Sequence, residues 1–168
     1  KSMDLRTMQS YKFRVRMSNV PDHALAYYNR GIIYENLGQP TLAIQDYSHA
    51  INLQPNLLEA YHYRGIVRYG MKDLDGALAD YNKAISLGLK SSAVYFNRGV
   101  IFHQKGQLSD AIESYSRSIE IDPSNARAYY NRAISKLIVD NYKEALQDLE
   151  ISIRLGYSKA AEVIAQYY

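Results

Sequence analysis

Apolar side chains recur along this chain at steps of three and four residues, in stretches of about a dozen broken by short polar segments, which is the pattern of helices with one buried face. Tyr27, Ile32, Ile33 and Tyr34 form one stripe, NLGQP (36–40) reads as a turn, and Ala43, Ile44, Tyr47, Ala50 and Ile51 form the next stripe, closed by Pro55. The same text then returns. AYYNRGIIY at Ala26 becomes AYHYRGIVR at Ala60, VYFNRGVIF at Val94 and AYYNRAISK at Ala128, each 34 residues after the last, with GMKDLDG, QKGQL and IVDNY as the later turns. A period of this length predicts stacked helix pairs, because one pair cannot bury its own apolar face and needs its neighbour.

Gly31, Gly65 and Gly99 fall inside the first helix of their pairs, where glycine costs about 1 kcal/mol relative to alanine. The expectation is a close approach to the second helix, with Ala43, Ala77, Ala111 and Ala145 as the matching small surface and Ala133 keeping the fourth pair small.

These residues carry a resemblance. The chain is similar to the tetratricopeptide repeat family, whose pattern of aromatic, small, aromatic, Ala, aromatic, Ala and Pro is met by Tyr27, Gly31, Tyr34, Ala43, Tyr47, Ala50 and Pro55. The third copy gives Tyr95, Gly99, Phe102, Ala111, Tyr115, Ser118 and Pro123. The resemblance implies an all-α, right-handed α-solenoid of antiparallel helix pairs, with repeats at 24–57, 58–91, 92–125 and 126–159. Residues 160–168 would be a capping helix whose Val163, Ile164 and Tyr167 shield the last repeat. Residues 1–23 read either as a basic arm, since YKFRVRM alternates apolar and basic positions, or as a degenerate half-repeat with Phe13 and Met17 at second-helix spacing. Departures follow a second period of 68 residues: Arg68 and Lys136 stand where an aromatic is expected, and LGL and LGY around Gly88 and Gly156 replace the closing proline.

In the resembled family the first helices line a concave groove. The places that the resemblance assigns to it hold Tyr28, His62, Phe96 and Tyr130; Ile32, Ile66, Val100 and Ile134; Tyr69 and His103; and Asn29, Asn97 and Asn131, with Tyr63 breaking the asparagine row. A carboxamide both donates and accepts, so such a row suits the backbone of an extended peptide whatever its side chains. Relatives that hold acidic C-termini use lysine and asparagine where this chain has Tyr28 and Ile32 or Phe96 and Val100, so an acidic tail should bind poorly.

Arg30, Arg64, Arg98 and Arg132 recur just before the small residue, and Asp46, Asp80 and Asp148 recur on the second helix. Bidentate arginine–aspartate pairs are the expectation, as a structural ladder rather than a ligand site. Ser114 replaces the fourth aspartate, so Arg98 is expected to turn to Asp80 or Glu113.

Charge adds little to this picture. The net charge is +3, and all of it resides in residues 1–23, where five basic residues face two acidic ones; the remainder balances at 15 each. That excludes strong general attraction to nucleic acid or anionic membrane. No cysteine is present, no apolar run reaches the length of a membrane-spanning helix, and no phosphate loop or nucleophile constellation stands out. The expectations are therefore a non-enzymatic, cytoplasmic module with a protein or peptide ligand, no cofactor, no metal and no small-molecule substrate. The alternative is a structural spacer that self-associates through its apolar groove or its N-terminal arm. Nucleic-acid binding through that arm comes after both.

Overall fold

The computed structural model describes residues 24–167; the 1–23 arm or half-repeat and Tyr168 lie outside the described residues. Among the described residues the fold is all-α, an α-solenoid of antiparallel helix pairs. It divides into two compact units, one ending at Leu89 and one beginning at Lys90. The first unit holds α1 (Ala24–Asn36), α2 (Pro40–Leu53), α3 (Leu58–Gly70) and α4 (Leu74–Ser86). The second holds α5 (Ser92–Gln104), α6 (Leu108–Ile121), α7 (Ala126–Ile138), α8 (Tyr142–Arg154) and α9 (Lys159–Tyr167).

Local chemistry sets the ends of these helices. Pro40 opens α2, while the side chains of Asp73, Ser91 and Asn125 accept from the exposed N–H groups of Gly76, Val94 and Ala128 at the starts of α4, α5 and α7. Every turn within a pair needs one left-handed residue, found at 38, 72, 106 and 140. Glycine fills it at Gly38 (φ 67°) and Gly106 (φ 73°), but Lys72 (φ 66°) and Asp140 (φ 59°) fill it in the second and fourth pairs.

The helical glycines meet aromatic rings rather than the alanines. A Cβ on Gly31 would stand 2.6 Å from Tyr47 Cε1, on Gly65 2.8 Å from Tyr81 Cε1, and on Gly99 2.6 Å from Tyr115 Cε1. Ala43, Ala77, Ala111 and Ala145 are fully buried, but the tyrosine ring is what demands the missing side chain. In the fourth pair Ala133 is matched by Leu149 in place of tyrosine, so each partner fits the other's size.

Within the first unit, α3 packs on α1 and α2, joining Ala50, Ile51, Leu57 and Ala60 into one core cluster. In the second unit α7 packs on α5 and α6, and α9 covers α8, with Ala160, Val163 and Ile164 against Ala133, Leu137 and Leu149. Tyr167 departs from the sequence expectation: it is 52% exposed, and Tyr157 at the preceding turn packs on the fourth pair instead, against Tyr130.

Candidate functional site

The arginine–aspartate spacing is 16 residues in each pair that has an aspartate. Arg30 donates to Asp46 at 2.6 and 2.7 Å, Arg64 to Asp80 at 2.9 and 2.7 Å, and Arg132 to Asp148 at 2.8 and 2.6 Å. All three aspartates are buried, so these are two-pronged, charge-assisted bonds shielded from water. The bond to Asp46 raises the proton affinity of Arg30. In the third pair Arg98 Nε donates to Ser114 Oγ at 3.0 Å, and burial lowers the Arg98 pKa.

The 68-residue period has its cause here. Arg30 lies between the rings of Tyr27 (5.4 Å) and Tyr34 (5.7 Å), and Arg98 between Tyr95 (5.0 Å) and Phe102 (5.8 Å). Arg64 and Arg132 each keep one ring, Tyr61 or Tyr129. At the second ring's place Arg68 and Lys136 donate to Asp80 and Asp148 at 2.8 and 2.9 Å. The Nη1 nitrogens of Arg64 and Arg132, which the aspartates leave unused, reach back to the preceding pair, Arg64 to Ser48 at 2.8 Å and Arg132 to Ser116 at 3.0 Å. Sequence inspection marked Arg68 and Lys136 as departures without seeing their partner.

On the first helices of the first unit, Asn29 is exposed and Ile32, Ile66, Tyr69 and His62 are half-buried. Tyr28 is drawn inward, 6.0 Å from the Tyr47 ring and edge-on to Tyr63 at 5.7 Å, and burial, with Tyr63 and Glu59 adding to it, pushes its pKa up to about 12. Tyr63, the break in the asparagine row, is therefore the centre of an aromatic cluster. His62 stacks obliquely on it at 5.1 Å, and burial lowers the His62 pKa. A shallow hollow of about 460 Å³ opens between Ile66, Val67, Met71 and Pro40, with Glu35 at its wall.

On α5 and α7 of the second unit the places differ more. Phe96 is only 9% exposed and belongs to the core, packed with Ala111, Tyr115, Ile119 and Ala128, with the Arg127 guanidinium 5.1 Å above its ring. This corrects its reading as a ligand-facing ring: α6 and α7 close over it. Tyr130 stays half-buried, 5.0 Å from Tyr157, its pKa raised by burial first. Val100, His103, Gln104, Tyr115, Asn131 and Ile134 surround a pocket of about 120 Å³. His103 Nδ1 stands 2.9 Å from Ser135 Oγ, a residue that sequence reasoning passed over. Asn97 is half-buried beside this surface, and among the described residues the carboxamides of Asn29, Asn97 and Asn131 make no hydrogen bond.

Among the described residues no group of three or more His, Cys, Asp or Glu side chains is placed to hold a metal ion, and no helix is long and apolar enough to cross a membrane.

Residues 24–57 match the family model described as tetratricopeptide repeat, and residues 99–136 match a second model described as TPR repeat. No curated protein matches the chain. Among solved structures, a crystal structure of MamA is similar at TM-score 0.81 and 21% identity, over 96% of this chain and 99% of that one. The C-terminal part of a TPR repeat-containing protein from Cytophaga hutchinsonii is similar at TM-score 0.81 and 21% identity, over 97% of this chain and 69% of that one. YrrB, a TPR protein with an unusual peptide-binding site, is similar at TM-score 0.54 and 17% identity, over 95% of this chain and all of that one.

Proposed function

Taking as premise that the chain belongs to the tetratricopeptide repeat family, we propose that it is a scaffold that holds an extended peptide on the first helices of its helix pairs. Proteins of this family are in general interaction scaffolds rather than enzymes, since a stack of pairs presents one face repeatedly and builds no enclosed reaction chamber. The observation that carries the finer reading is the pair of half-buried carboxamides on Asn97 and Asn131 in the second unit, which no described residue engages. A half-buried carboxamide left without a partner is costly unless water or a ligand supplies one, and a peptide backbone offers the matching N–H and C=O. In the same unit Val100 and Ile134 offer aliphatic surface, worth about 25 cal/mol per Å² covered before the costs of association. YrrB, which shares the fold, is described as having a peptide-binding site, and the same class of ligand suits this surface.

Selection of phage-displayed random peptides on the purified protein, followed by calorimetry with the synthetic winners, tests the reading. The double variant Asn97→Ala, Asn131→Ala should bind them about tenfold or more weakly at unchanged helicity, given about 1 kcal/mol for each lost hydrogen bond. No selectable peptide, or equal affinity for both proteins, refutes it.

A further inference from the structure

The second unit's small pocket has an unusual polar wall. Ser135 Oγ donates its one proton to the carbonyl of Asn131, one helical turn back at 3.0 Å. Its contact with His103 Nδ1 at 2.9 Å then has only one sense, with the ring nitrogen donating. In the neutral imidazole this leaves Nε2 as an acceptor, and no described residue donates to it. The His103 ring lines the pocket, between the aliphatic side chains of Val100 and Ile134 and the carboxamide of Asn131.

We infer that this pocket takes one aliphatic side chain of a bound peptide, of valine to leucine size, with that residue's backbone N–H donating to His103 Nε2 and its backbone completed by Asn131. The inference rests on the peptide-scaffold reading above and assigns it an anchor. Size suits the side chain, since the pocket is about 120 Å³ and an engineered apolar cavity of about 150 Å³ holds benzene. Polarity selects the backbone, because an acceptor fixed by Ser135 discriminates sharply for a donor and against a carbonyl. A charged side chain finds no counter-charge among the lining residues. The role of Ser135 is positioning: it holds the tautomer and does not touch the ligand.

Two independent measurements test this on the whole chain. Imidazole nitrogen resonances of the free protein should show His103 protonated on Nδ1 and bare on Nε2, and Ser135→Ala should release that preference while the helices persist. N-acetyl-leucine N-methylamide, titrated into methyl-labelled protein, should shift Val100, Ile134 and His103 Nε2 saturably. Its analogue methylated on both amide nitrogens should bind about fivefold more weakly, the loss of one hydrogen bond, and His103→Phe should abolish the difference. A proton found on Nε2, or equal binding of the two amides to the native protein, overturns the assignment. Display-selected peptides that depend on Asn97 and Asn131 yet leave the Val100 and Ile134 methyls unmoved overturn the anchor alone; if no peptide is selected, the scaffold reading falls with it.

Discussion

Replacing Gly31 by alanine should change sign according to what stands at position 47. In the native protein the added methyl would lie 2.6 and 2.7 Å from Tyr47 Cε1 and Cδ1, where ordinary contact begins near 3.4 Å. Tyr47 is fully buried, with its hydroxyl donating to Glu35 at 2.9 Å, so the ring has nowhere to withdraw without loss. Overpacking of this kind costs about 1–3 kcal/mol, against a gain of about 1 kcal/mol from helix propensity, so Gly31→Ala should lose about 1 kcal/mol net. Tyr47→Leu alone loses a ring and a hydrogen bond, about 2–3 kcal/mol. In that background the overlap is gone, and Gly31→Ala should instead gain about 1 kcal/mol, a coupling of about 2 kcal/mol. The combination is the one the protein itself uses at Ala133 and Leu149, both fully buried in one cluster. Urea denaturation of the four proteins, followed by far-ultraviolet circular dichroism with the slope checked for constancy, measures the cycle. Additive effects would show that the glycines are not there to admit the tyrosine rings.

Three further expectations follow from the same geometry. Lys72→Gly relieves a left-handed residue that Gly38 and Gly106 fill without strain, and should stabilise by about 1 kcal/mol in the same urea assay; an unchanged midpoint counts against it. Asp80→Asn removes the buried charge that both Arg64 and Arg68 face and should cost about 3–5 kcal/mol, more than Asp46→Asn, where Arg30 alone donates to the carboxylate; the reverse order refutes the account of the even pairs. Burial lowers the His62 pKa in the folded state, so the unfolded chain binds this proton more readily, and stability present above the ordinary histidine range is lost as pH falls through it. His62→Gln should flatten that part of the stability–pH curve, and an identical slope in both proteins would exclude His62 as the source.

What the sequence made legible was whatever repeated. A 34-residue period names the helix pair, because packing imposes the same residue class at the same height in every copy, and the 16-residue step from arginine to aspartate follows from two antiparallel helices meeting at that height. Places that share a register but differ in neighbours were not legible. Tyr28, Phe96 and Tyr130 occupy one repeat position, yet Phe96 alone is sealed into the core: the Arg127 guanidinium lies over its ring, whereas Tyr28 meets Tyr63 edge-on. Tyr130 stays half-buried and rests on Tyr157. The height of Tyr47 relative to Gly31 was likewise invisible, since alanine and tyrosine on α2 lie four residues apart on the same face and only coordinates say which one arrives opposite the glycine. The contact of His103 with Ser135 joins two helices through residues that occur once each, and no periodicity announces a pair that does not repeat.

The backward reach of Arg64 to Ser48 and of Arg132 to Ser116 bears on how such an array can grow. A hairpin of the even kind arrives with a guanidinium shaped to grip a hydroxyl on the hairpin before it, and only the odd kind carries that hydroxyl. A second hairpin duplicated inside its own unit would meet Asn82 or Glu150 where Ser48 or Ser116 stands, and would lose that hydroxyl as its acceptor. Each unit is in this sense a couplet, and engineered arrays cut at its edges should outlast those cut through its middle.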